Sequence, residues 1–188
     1  MDNRATILST ALRLFAERGY DAVGIQEIVD EAGITKPTLY HYFGSKQGLL
    51  EELMNANFAE LDQVLQAPAH YQGDLPHTLN QVAAAYFQFA ITHRLFYRMQ
   101  LSMGFAPVNS LSFQVVTRFN RHQQQTIEQI FVLAGHDHGN MKGRYQAYAA
   151  TFMGMLNTYI SLALNDYTEI NNELVYTAVH QFVHGIYS

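Results

Sequence analysis

Residues 24–46, GIQEIVDEAGITKPTLYHYFGSK, decide how this chain is read. Ile25, Ile28, Val29 and Ala32 recur at helical spacing and form the inner face of a two-turn helix. Gly33 then supplies a left-handed residue that stops it, a conformation glycine takes without steric cost. A tight turn over residues 33–35 follows. Thr35 is placed to cap a second helix, and Pro37 falls in its first turn, where no intrahelical acceptor is lost. In that second helix Leu39 and Phe43, four apart, face the core, which leaves Lys36, Thr38, Tyr40, His41 and Tyr42 over the outward surface. Two short helices joined by a glycine-containing turn make a helix-turn-helix, whose second helix enters the DNA major groove N-terminus first. Lys36 and Thr38 then lead toward base edges.

Working outward, apolar residues keep a helical period nearly everywhere, as in Ile7, Leu8, Ala11, Leu12 and Phe15, and no sustained period-two stretch is bounded by hairpin turns. The expected class is all-α. Breaks at Gly19, Gly33, Gly44, 67–74, 104–110, 135–140 and 165–172 predict about nine helices, with three short ones followed by long ones over 45–66, 75–93, 94–103, 110–134, 142–165 and 172–187. That change in helix length predicts a small head, residues 1–46, on a larger helical part, residues 47–188. Leu49, Leu50, Leu53, Met54, Phe58, Leu61 and Leu65 run on without a breaker, so the boundary falls at a continuous helix able to carry movement.

Of the 188 residues 48% are apolar and 13% aromatic while only 14% are charged, so much apolar surface needs a core, a subunit interface or an apolar ligand to cover it. The net charge of −5 argues against a protein that coats nucleic acid through a broad positive field, so a DNA site must rest on local geometry. Within the first 50 residues Arg4, Arg13, Arg18, Lys36 and Lys46 stand against Asp2, Glu17, Asp21, Glu27, Asp30 and Glu31. Glu27, Asp30 and Glu31 belong to the helix behind the reading helix, and the contact surface, with Lys36, Lys46 and Arg4, is expected to carry no acid. The absence of cysteine excludes disulfides and thiolate metal sites. With neither a signal-peptide pattern nor a run of about 18 apolar residues, no membrane partner is expected and the chain reads as cytoplasmic.

Residues 7–50 resemble the N-terminal domain of the TetR family of regulators. The likeness lies in Gly33, Ile34, Thr35, Lys36, Pro37, Thr38, Leu39, Tyr40, His41, Tyr42, Phe43, Gly44, Ser45 and Lys46, and upstream in Ala11, Leu14, Phe15, Gly19 and Tyr20. The resemblance implies that Lys36, Pro37, Thr38 and Tyr40 face bases or the adjacent sugar edge, while Thr35, Tyr42 and Lys46 hold phosphates, with His41 on the same surface. Base contacts specify sequence and phosphate contacts set register. At Val23 and Gly24 the chain departs from the family pattern, which has hydroxyl residues there; glycine can still cap the helix, but one contact to the DNA backbone is not expected.

From Tyr86 onward, aromatic and methionine residues are dense on helical faces. Tyr86, Phe89, His93, Phe96, Tyr97, Met103, Phe119, Tyr148, Phe152 and Met155 are the candidates to line a small-molecule pocket, because polar tips of tyrosine and histidine mix into an apolar wall. The last two helices show apolar residues on more than one face, Ile186 among them, which points to a partner; the resemblance makes that partner a second copy. Ala150, Phe152, Met153, Gly154, Ile160, Val175, Val179 and Phe182 are the interface candidates. His180 and His184 are four apart, and His136, Asp137 and His138 share a loop, yet no third and fourth ligand stands beside either set, so no metal or other cofactor is expected. No HExxH, GxSxG or phosphate-binding glycine loop is present, and no enzyme activity is expected.

The leading reading is a sequence-specific transcriptional regulator, a homodimeric repressor released from double-stranded operator DNA by a small, largely apolar or aromatic effector. An architectural or partner-protein adaptor of the same fold is the alternative, followed by a helical metal-dependent enzyme. A structure with no cavity above roughly 300 Å³ would favour the adaptor.

Overall fold

The computed structural model describes residues 2–185, apart from the side chain of Asn140. Among these residues there are nine α-helices and no strand: α1 Asn3–Arg18, α2 Ile25–Ala32, α3 Lys36–Phe43, α4 Lys46–Leu65, α5 Leu75–Thr92, α6 Arg94–Gly104, α7 Leu111–Asp137, α8 Tyr145–Leu164 and α9 Asn172–His184. A single 3-10 turn, Gly139–Met141, precedes α8. The expected end of the last helix at residues 186 and 187, with Ile186, lies outside the described residues.

The helices form two compact units that do not follow chain order. The first comprises Met1–Glu60 and His93–Phe119, the second Leu61–Thr92 and Asn120–Ser188. In the first, α1 packs on α2, α3 and α6. Ile7, Ala11, Leu14 and Phe15 of α1, Ile28 of α2 and Leu39 of α3 have no exposed surface, so the core of this unit lies behind the helix-turn-helix. In the second unit α5 packs on α8 and α9, and Leu79, Val82, Ala83, Phe152, Leu156 and Ala178 are fully buried.

Two glycines mark close approaches. A Cβ on Gly48, in the first turn of α4, would collide with the Phe43 carbonyl oxygen, so the α3–α4 corner closes only with glycine there. Gly135 was expected to end a helix and instead lies inside α7, which continues to Asp137. The reason is packing: a Cβ at Gly135 would meet the Tyr145 ring at 2.6 Å, so the missing side chain makes room for α8. Likewise α8 starts at Tyr145 rather than at residue 142, because the 3-10 turn and Gly143, at φ 79°, reverse the chain first.

Candidate nucleic-acid interface

The helix-turn-helix is built as its residues dictate. Gly33 closes α2 in the left-handed region at φ 65° and ψ 34°. Thr35 caps α3, its Oγ1 accepting from the Thr38 amide at 3.4 Å and lying 2.9 Å from the Thr38 hydroxyl. Leu39 anchors the inner face. Thr35, Lys36, Pro37, Tyr40, His41 and Tyr42 are exposed and Thr38 is half-buried, so all seven are accessible around the outer surface of α3 and its cap. Tyr40 and Tyr42 keep 47% and 43% of their surface in solvent, which for large aromatics on so short a helix leaves them available to a partner. The His41 and Tyr42 rings meet edge to face, with centroids 5.4 Å apart.

Lys46, at the start of α4, is set differently. Its ammonium lies 4.1 Å from the centroid of the Tyr20 ring and 5.9 Å from that of Phe15, a cation–π seat at the edge of the core. Burial lowers its pKa below the ordinary lysine range, and the Asp21 carboxylate works against that shift. Burial pushes the Tyr20 phenol up to about 12, with Asp21 and Glu51 adding to it, so the ring stays neutral beneath the cation. Contrary to the acid-free surroundings expected for Lys46, the exposed Asp21 stands close enough to act on its charge. Arg4, expected on that surface as a free cation, pairs with Glu52 and lies over the Phe43 ring at 5.9 Å. Two of the three acids of α2 are compensated by a cation, Glu31 by Arg13 and Glu27 by Arg18, while Asp30 accepts from the Gln26 amide. This pairing leaves Lys36 as the cation in the first turn of the exposed helix. No side-chain cap is made at Gly24, as its lack of a hydroxyl requires.

A family model for bacterial regulatory proteins of the tetR family matches residues 7–53, the segment that contains this helix-turn-helix. The chain thus carries a TetR-family helix-turn-helix domain over these residues. Over 103 residues it is 34% identical to the Bacillus subtilis HTH-type transcriptional regulator YuxN, a match that takes in 54% of this chain and 35% of YuxN. The chain thus matches only about a third of the length of that relative. A longer match, 24% identical over 184 residues, spans 98% of this chain and 82% of the transcriptional activator FasR of Mycolicibacterium smegmatis. Among solved structures, the fatty acid degradation regulator FadR of Bacillus halodurans has a TM-score of 0.80 at 16% identity, covering 99% of this chain and 97% of that one. The Bacillus subtilis FadR, in complex with stearoyl-CoA, has a TM-score of 0.79 at 18% identity, covering 97% and 98%. At these identities the structures establish a shared TetR-type fold. Transcriptional regulation is the function class that the names of these relatives share.

The ten aromatic and methionine candidates for a ligand wall divide between the two units. His93, Phe96, Tyr97, Met103 and Phe119 fall in the first, Tyr86, Phe89, Tyr148, Phe152 and Met155 in the second. Tyr86, Phe96, Tyr97 and Phe152 have no exposed surface, and Phe89 and Met103 are buried as well. Phe119 stacks on Phe58 with centroids 4.6 Å apart, and Phe96 meets the other edge of Phe58 at 5.5 Å. His93 Nε2 lies 3.1 Å from Glu60 Oε1. Tyr148 and Met155 remain at accessible cavities. Tyr148 borders a cleft of about 620 Å³ with Leu75, Leu79, Met141, Gln181 and Phe182, and Met155 borders a groove of about 410 Å³ between α8 and α9. Both volumes exceed the roughly 300 Å³ below which an adaptor would be favoured. Leu75, Pro76, Leu79, His138, Met141, Gln181 and Val183 were not among the candidates. They carry no aromatic pattern; the only signal was that the breaks at 67–74 and 135–140 could bring helix ends together.

Of the interface candidates, Ala150 and Gly154 are exposed, Phe182 is half-buried, and Phe152, Met153, Ile160, Val175 and Val179 are buried in the second unit's own core. The His180 and His184 rings lie side by side with centroids 4.5 Å apart on the exposed side of α9. Among the described residues no three His, Cys, Asp or Glu side chains gather as a metal site, and no helix is long and apolar enough to cross a membrane.

Proposed function

We propose that this chain is a homodimeric transcriptional regulator that reads operator DNA through α3 and changes its affinity when a small, largely apolar effector binds the second unit. The exposed face of α3, bearing Thr35, Lys36, Pro37, Thr38, Tyr40, His41 and Tyr42 over a fully buried Leu39, is the observation that carries the reading. Lys36, Thr38 and Tyr40 contact bases; Thr35, Tyr42 and Lys46 hold phosphates. Residues 1–46 act as the reading head and residues 47–188 supply effector binding and dimerisation, in the cytoplasm. The protein is a binder rather than a catalyst, and the effector releases it from the operator as a repressor.

The cleft beside Tyr148 supports the effector reading, because Leu75, Pro76, Leu79, Met141, Phe182 and Val183 offer an apolar wall with Tyr148, Thr151, Gln181 and His138 as polar points. Since a solved structure of similar fold holds stearoyl-CoA, a long-chain acyl thioester is the effector class to test first. Dimerisation is supported by the small exposed residues Ala150 and Gly154 of α8 and by the groove between α8 and α9, which a second copy fills. Operator binding measured with and without stearoyl-CoA, beside coenzyme A and stearate alone, tests the effector. Weaker operator binding only with the thioester supports the reading. Unchanged affinity with stearoyl-CoA demonstrably bound contradicts allosteric release by that effector class.

A further inference from the structure

Asp21 lies in the turn between α1 and α2, and Ser112 is the second residue of α7, both in the first unit. Ser112 is 2% exposed, and its hydroxyl donates to Asp21 Oδ2 at 2.8 Å. With that proton committed, the 3.0 Å contact between the Ser110 and Ser112 hydroxyls is a donation from Ser110 to Ser112. Ser110 Oγ also accepts from the Phe113 amide at 3.2 Å, so it caps the first turn of α7. The Asp21 carboxylate therefore ends a hydroxyl relay that starts from the α7 cap, and it stands at a helix N-terminus, where negative charge is favoured.

The same turn seats Lys46. Tyr20, the neighbour of Asp21 in the chain, carries the Lys46 ammonium 4.1 Å from its ring centroid, and the carboxylate favours the charged form of that lysine against its burial. Two adjacent residues of one turn thus meet α7 on one side and the phosphate-facing cation on the other. We infer that Asp21 and Ser112 are positioning residues that tie the first turn of α7 to Lys46, so that operator affinity depends on where α7 holds the α1–α2 turn. The inference rests on the DNA-binding reading. While Ser112 holds the carboxylate, Asp21 orients Lys46 without closing on it; once released, the carboxylate competes with the operator phosphate for the ammonium.

The test is a set of mutant cycles on the full chain, using the duplex that the wild-type protein enriches from a randomised pool. Ser112→Ala weakens binding by about three- to tenfold, and this loss disappears when Lys46→Ala or Asp21→Ala is already present. A merely structural serine would give the same loss in every background. That additive outcome, or a folded Ser112→Ala protein with wild-type affinity, overturns the inference. Should Ser112→Ala not fold, the cycle between Asp21→Ala, in an exposed turn, and Lys46→Ala must still be non-additive, and additivity there overturns it equally. If no duplex is enriched, the DNA-binding reading fails, an outcome distinct from additivity in the cycles.

Discussion

The Lys46 ammonium rests 4.1 Å above the Tyr20 ring, so the cation that the family pattern directs at a phosphate is held by the core of its own domain. A seated charge loses little freedom on meeting a phosphate, whereas Lys36 on the open end of α3 must be ordered on binding. The two lysines therefore have different roles. Lys36→Ala is expected to cost about 1–3 kcal/mol at a cognate duplex and to relax preference at one base position. Lys46→Ala weakens all duplexes alike and lowers the salt dependence by about one counterion. Competition binding over a salt titration separates them; the assignment fails if both variants bind as wild type does.

Operator affinity has an alkaline pH dependence set by Lys46. Burial lowers its pKa in the free protein, and a bound phosphate favours the charged form, so binding takes up protons between the lowered free value and the higher bound one. Affinity then falls as pH rises through that window. Lys46→Arg flattens the profile, because guanidinium does not lose its proton there. Anisotropy titrations from neutral pH upward measure it, and a profile unchanged by the arginine substitution contradicts the seat described.

At the α3–α4 corner, Gly48→Ala drives a methyl group into the Phe43 carbonyl oxygen. The expected cost is about 1–3 kcal/mol or more, because backbone must move. Gly139→Ala is the control: nothing lies within 4 Å of its Cβ and its backbone does not need glycine, so little change is expected. Thermal melts that rank the two alike would show that the corner yields more easily than its geometry implies.

The dimer proposal rests on Ala150 and Gly154, the exposed members of the candidate set, rather than on its buried apolar members. Charge placed at Phe152 or Val179 is expected to unfold the chain, since both are buried in its own core. Gly154→Arg and Ala150→Arg alter an exposed face and should give folded monomers that lose high-affinity binding to a two-half-site duplex. Sedimentation and circular dichroism decide it. A wild-type monomer at micromolar concentration, or a dimer that survives both substitutions, contradicts the proposal.

The head was legible because its devices are local. Gly33, Thr35 and Pro37 act within a turn of themselves, and the spacing of Leu39 from Phe43 shows which face remains outside. The rest depended on partners distant in sequence. Whether Gly135 breaks a helix or sits inside one was decided by Tyr145 packing on it. Tyr86 and Tyr97 have the same residue type as Tyr148, and only tertiary packing buries the first two while leaving Tyr148 at a cleft. Asp21, just one more surface acid by composition, gained meaning only when Ser112, 91 residues away, was found bonded to it.

The most direct measurement is selection of duplexes from a randomised pool by the purified full chain, followed by binding of the enriched sequence by wild type and by Lys36→Ala at fixed salt. The expected result is a near-palindromic site with half-sites about one helical turn apart, bound far more tightly than shuffled DNA, with Lys36→Ala weakened and less selective within each half-site. Enrichment of no sequence by folded protein, or a selected site that Lys36→Ala and wild type bind with the same affinity and selectivity, would contradict sequence reading by α3.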